Sequence, residues 1–100
     1  MLLHTVNKSP FGNNALSSCL GASKAGSGIL LIEDGVYGAL TGTEISEKVK
    51  EAMKTRKIYA LGPDLKSRGI HDRIIEGINV VDYGGFVDLV AEHDAVEAWL

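Results

Sequence analysis

Gly28-Ile29-Leu30-Leu31-Ile32-Glu33-Asp34-Gly35 is the stretch that decides how this chain folds. Ile29 to Ile32 follow one another with no polar residue between them. A strand with one wet face alternates apolar and polar side chains, whereas a strand covered on both faces does not. The run therefore predicts a parallel strand between two layers of helix. Gly26-Ser27-Gly28 delivers the chain into it as a turn, and Glu33-Asp34-Gly35 ends it.

The same logic extends in both directions. Upstream, residues 2–6 read as a strand, followed by a turn around Ser9-Pro10. Asn13 or Asn14 then caps a helix to about Ala25, with Leu16, Cys19 and Leu20 on its inward stripe. Downstream, Val36 to Leu40 reads as a short helical turn. Thr41 with Glu44 has the form of a capping box, and Thr43 is an equally good cap, for a helix with Ile45, Val49, Ala52 and Met53 inward. Ile58 to Leu61 is a third strand, and Gly62-Pro63-Asp64 turns into a short helix, Leu65 to Arg68. Residues 70–77 favour no element. Ile78 to Val81 is a fourth strand. Asp82 caps a last helix with the stripe Phe86, Leu89, Val90 and His93, and residues 94–100 form either an edge strand or a docked tail. Strands alternating with helices define an α/β fold with a mainly parallel sheet. A chain of 100 residues is one domain, 1–100.

Composition narrows the function. The net charge of −3 argues against direct nucleic-acid binding, since holding a phosphate backbone needs a basic face. No apolar stretch approaches the ~20 residues that span a bilayer. One unpaired cysteine and no visible export signal predict a cytoplasmic protein. Right-handed crossovers place Ser9, Asp34, Asp64 and Asp82 on one edge of the sheet. Carboxylates there hold a divalent cation, form a phosphoacceptor pocket, or cap turns and helices; Asp is an ordinary capping residue, and capping is the simpler reading. Gly21 to Gly28 lacks the Gly-Lys-Ser/Thr ending of a phosphate loop and reads as a helix-to-strand turn. His4, His71 and His93 show no metal-ligand spacing; His4 reads as a satisfied polar group near the core. Trp99 either docks on its own domain or meets a partner.

Cys19 remains. It is a small buried hydrophobe or a thiol that carries sulfur. It falls beyond the first turn of its helix, so the helix dipole lowers its pKa little. Lys8, in the turn that precedes the helix, is a cation that would favour its thiolate.

Four segments extend the reading. They are Leu3-His4-Thr5-Val6-Asn7-Lys8-Ser9-Pro10-Phe11, Leu30 to Val36, Tyr59 to Gly69, and Val80-Val81-Asp82-Tyr83 with Phe86-Val87; Ala98-Trp99 closes the set. In order and over nearly the whole chain, they resemble the DsrH/TusB family of sulfur-relay subunits. The resemblance implies a three-layer α/β/α sandwich. It implies a heterohexamer with DsrE/TusD-like and DsrF/TusC-like subunits, a TusA-like sulfur donor and a DsrC/TusE-like acceptor. The exchange it implies runs on thiols and persulfides and needs no cofactor. Cys19 matches a cysteine of the DsrH branch, and Gly62-Pro63-Asp64 also looks more like that branch, so the resemblance favours DsrEFH-type sulfur oxidation. A TusB-type relay toward 2-thiolation of the tRNA wobble uridine is the alternative, as is a non-catalytic assembly subunit. On the first reading Cys19 is the persulfide carrier; on the last it is structural.

Overall fold

The computed structural model describes residues 1–100. Five strands form one sheet: β1 (Leu2–Val6), β2 (Gly28–Leu31), β3 (Lys57–Leu61), β4 (Asn79–Val81) and β5 (Ala95–Trp99). Their order is β4-β3-β2-β1-β5, and every pairing is parallel. The chain steps outward from β1 to β4, then returns across the sheet to place β5 on the free side of β1. The tail is therefore an edge strand, paired Leu2 with Ala95 through Val6 with Trp99.

The helices are α1 (Ala15–Ala22), α2 (Ser46–Ala52), α3 (Gly62–Ser67) and α4 (Tyr83–Glu92), with a 3-10 helix over Glu33–Ala39 after β2. The two layers are unequal. On one face α1, α2, α3 and the 3-10 helix close over Val6, Ile29, Leu31, Ile58 and Ala60 in a cluster of 17 buried residues. On the other face α4 stands alone, and its buried contact is Leu89 against Leu3 and Leu30. Successive residues of the Ile29-Leu30-Leu31 run alternate between these two clusters, which is why no polar residue interrupts it.

Several local expectations need correction. Helix α1 stops at Ala22, three residues before Ala25: the Ser23 N–H still makes the last helical bond to the Cys19 carbonyl, but the Ser23 backbone turns extended. Its start is held by Asn13, whose Oδ1 accepts from the Ala15 N–H at 2.7 Å. Neither Thr41 nor Thr43 caps α2 through its side chain. The Ser46 hydroxyl donates instead to the Thr43 carbonyl at 2.8 Å, and the Thr43 hydroxyl is buried without a partner. Helix α3 begins at Gly62, with Pro63 in its first turn, where a missing N–H costs nothing. Of the stripe expected on α4, Leu89 is buried and Phe86 and His93 are half-buried, while Val90 is exposed. Asp82 caps α4 as expected, accepting from the Gly85 N–H at 2.7 Å.

Residues 70–77 are pinned, although they form no named strand. An antiparallel bridge joins Leu40 to Ile74, and the Thr41 N–H donates to the Arg73 carbonyl at 3.0 Å. Ile70, Ile75 and Ile78 are buried in the larger cluster.

Candidate functional site

The edge that carries the carboxylates is tied up in its own fold. Arg68 donates from Nε and Nη2 to Asp34 Oδ1 at 3.0 and 2.9 Å. Its Nη1 reaches the Asp64 carbonyl at 3.2 Å, while Asp64 Oδ2 accepts from the Glu33 N–H at 2.7 Å. That last bond holds Glu33 at a positive φ of 50°, a left-handed conformation unusual for a residue with a Cβ. Asp34 and Asp64 thus lock α3 to the turn after β2, and Asp82 is occupied as a cap. Ser9 Oγ accepts from the Phe11 N–H at 3.2 Å. Asp34 and Asp64 meet on different nitrogens of the Arg68 guanidinium, with carboxylate oxygens 2.9 and 3.8 Å from it, and no cluster of three metal-ligating residues forms anywhere in the chain.

A different constellation forms under α1. The β1 register puts His4 opposite Glu97 of β5 and Val6 opposite Trp99, on the face that α1 covers. The Trp99 indole N–H donates to His4 Nδ1 at 2.9 Å, and the rings stand 6.0 Å apart. Trp99 therefore docks on its own domain. His4 is 3% exposed, and Glu97 Oε2 lies 3.8 Å from the same Nδ1. Because Nδ1 accepts, a neutral His4 carries its proton on Nε2, which is buried with no partner. The expectation of a fully satisfied histidine is thus half right. Beside it, Arg56 closes the C-terminal end of α1. Its Nη1 donates to the carbonyls of Leu20 and Ser23 at 2.6 and 3.2 Å, and to Ser23 Oγ at 2.8 Å. A groove of about 550 Å³ opens between this helix end and β5, bordered by Leu2, His4, Ser23, Lys24, Glu97 and Trp99 among others.

Cys19 belongs to this region but not to the groove. It is 0% exposed, on the inward stripe of α1 with Leu16 and Leu20. Burial pushes its thiol from the ordinary 9.0 up to about 12; Glu97 adds to the rise and Arg56 opposes it. The charges acting on it are these two, not Lys8, which is exposed in its turn. At neutral pH this thiol stays protonated, and a protonated, covered thiol is a poor nucleophile.

Burial lowers the pKa of His4 below the usual 6.5, with Arg56 acting in the same direction and Glu97 against it. The neutral ring is the one the fold holds, because protonated Nδ1 cannot accept from Trp99. Stability from this site is present above pH 6.5. It declines as pH falls below that value toward the lower folded pKa, because the unfolded chain takes up the proton first. Melting curves at pH 5 and pH 7.5 are expected to show the lower Tm at pH 5. His4→Gln should flatten the part of that slope that Trp99 fluorescence reports; an unchanged slope in the variant would assign it to other groups.

The fold and site define a small all-parallel α/β protein whose single thiol lies in the core. Comparison with known proteins narrows this further. Residues 8–96 match the family model described as DsrH like protein. Protein TusB of Escherichia coli O1:K1 is 36% identical over 98 residues, covering 98% of this chain and 100% of the relative. Protein TusB of Pectobacterium parmentieri is 33% identical over the same coverage. The crystal structure of the ychN protein from E. coli superimposes with a TM-score of 0.84 at 17% identity, over 97% of each chain, which speaks for the fold alone. The chain belongs to the DsrH/TusB family. No helix in it is long and apolar enough to cross a membrane.

Proposed function

We propose that this chain is the TusB-type subunit of a persulfide relay, assembled with TusD-like and TusC-like subunits, in the branch that leads to 2-thiolation of the tRNA wobble uridine. The observation that carries this reading is the end-to-end similarity to proteins named TusB, at 33–36% identity over their whole length. Two features of the sequence favour DsrEFH-type sulfur oxidation instead. Cys19 is a core residue of α1. Gly62-Pro63-Asp64 opens α3 at a point where a side chain on Gly62 would press on Val80 Cγ1 at 3.1 Å. Both have packing reasons that do not depend on the branch.

In such a relay a thiolate attacks the outer sulfur of a donor persulfide. The S–S bond breaks, the donor leaves as a thiolate, and the acceptor becomes the persulfide with no net oxidation. That step needs an accessible thiolate, which Cys19 lacks in this fold. On our reading the sulfur is therefore carried by a partner subunit, between a TusA-like donor and a TusE-like acceptor, and this chain completes the assembly. In a strain lacking the chain, tRNA 2-thiouridine should fall, and both the wild-type and the Cys19→Ala chain should restore it. Thiouridine unchanged by the deletion would overturn the branch. Restoration by the wild type alone would return the carrier role to Cys19.

A further inference from the structure

We infer that the outward face of α4 is a docking surface for a partner subunit that presents an apolar strip flanked by lysine and arginine. The inference rests on the relay-subunit reading and names the surface that such a subunit would use.

Helix α4 is the whole second layer of the fold, yet only Leu89 of it is buried. Tyr83 is 61% exposed and Val87 67%, with Val90 also exposed. With 3.6 residues per turn, the apolar arc running from Leu89 through Phe86, Val90, Tyr83 and Val87 to Ala91 spans about 200°. A helix resting on a sheet needs about half of that. Phe86, Val87, Val90 and Ala91 together line a shallow depression with no polar residue in it. On the same side of the sheet, the edge strand β5 leaves Val96 exposed, opposite the buried Leu3 in the register. An apolar surface of this kind marks an interaction site.

Charge identifies the partner's chemistry. Residues 74–100 contain Glu76, Asp82, Asp88, Glu92, Asp94 and Glu97 and not one lysine or arginine; all ten cations lie in residues 1–73. Asp94 pairs with the N-terminal amine and Asp82 caps α4. Asp88 and Glu92 are exposed along the flank of the apolar arc and have no ion-pair partner. A second copy placing its own α4 here would bring these carboxylates against themselves. A second copy offering its basic part has little apolar surface to match, since Met1 and Phe11 are the only large apolar side chains exposed in residues 1–73. The acidic flank likewise repels an anionic membrane. A different protein with cations around an apolar strip satisfies both features.

The test uses the full chain with purified TusC-type and TusD-type subunits of the same organism. Light scattering reads assembly, and titration calorimetry reads affinity at low and high salt. Val87→Glu is expected to weaken assembly by at least about tenfold, since it buries an unpaired carboxylate. Asp88→Lys with Glu92→Lys should weaken it at low salt and flatten its salt dependence. Phe11→Ser, on another surface, should leave it unchanged. Circular dichroism of each variant shows that it is folded, because both substituted faces are exposed. Full affinity in folded Val87→Glu overturns the surface while leaving the relay reading intact. No assembly from the wild-type chain overturns the relay reading and the partner with it. A wild-type chain that self-associates alone, and turns monomeric on Val87→Glu, overturns the partner in favour of a second copy.

Discussion

Gly35→Ala is expected to cost the fold about 3 kcal/mol, at the upper end of what forced overpacking does. For a domain of this size that is a drop in Tm of roughly 12–24 °C. Gly35 lies in the first turn of the 3-10 helix that follows β2, and this turn packs backbone to backbone on the end of β1. A Cβ there would run into the Val6 carbonyl oxygen and come within 2.8 Å of the Val6 carbonyl carbon. The obstacle is main chain, so no rotamer change relieves it. The Val6 carbonyl also accepts from the Ile32 N–H at 3.0 Å, and pushing it aside strains the β1–β2 ladder at its end. Gly12→Ala is the matched control, because a Cβ at Gly12 meets nothing within 4 Å. Thermal melts of the two variants decide the matter. A Gly35→Ala protein within about 5 °C of wild type would mean that the turn moves more easily than its contacts indicate.

The second large effect is chemical. Native Cys19 should react with iodoacetamide at least about a thousandfold more slowly than the same thiol in the urea-unfolded chain. A rise in pKa from 9.0 to about 12 removes three powers of ten in thiolate at any pH below both values. The complete covering of the side chain adds to this. Labelling in the native state then proceeds through opening of the fold and should follow its stability. The sign with pH is also fixed. The unfolded chain ionises its thiol first, so the fold loses stability as pH rises from 9 toward 12. Mass spectrometry of timed samples gives both rates. A ratio within tenfold would show that the thiol is reached in the native protein, and would favour Cys19 as a sulfur carrier.

How much of this was legible in the sequence depends on the range of the cause. The Ile29-Leu30-Leu31 run disclosed its parallel, doubly covered strand because burial on both faces is written residue by residue. Asp82 disclosed its cap because the partner, Gly85, is three residues away. Helix α4 misled because its stripe was read as wholly inward, whereas Val87 and Val90 continue the apolar arc outward. Such a stripe says that a helix has apolar surface, not which body covers it. The pinned segment 70–77 was invisible because a single bridge, Leu40 to Ile74, leaves no periodic trace. The His4–Trp99 pair was missed for the same reason, since its members stand 95 residues apart. The spacing of Cys19 on the α1 stripe did announce a core position. The resemblance to sulfur-relay subunits is what drew it toward chemistry.

The strand order has a consequence for how the protein is made. Strand β1 is the first to be synthesised, but it ends up in the interior of the sheet, and its second neighbour, β5, is the last strand. Until β5 emerges, β1 presents a bare hydrogen-bonding edge, and His4 has no indole to receive. A nascent chain can stack β1 to β4 in order as they appear. Completion then waits on closure between residues 2–6 and residues 95–99, which is the slow kind. During that interval the exposed edge can accept a foreign strand. The time before β5 pairs with β1 is therefore when the chain most needs a chaperone or a waiting subunit.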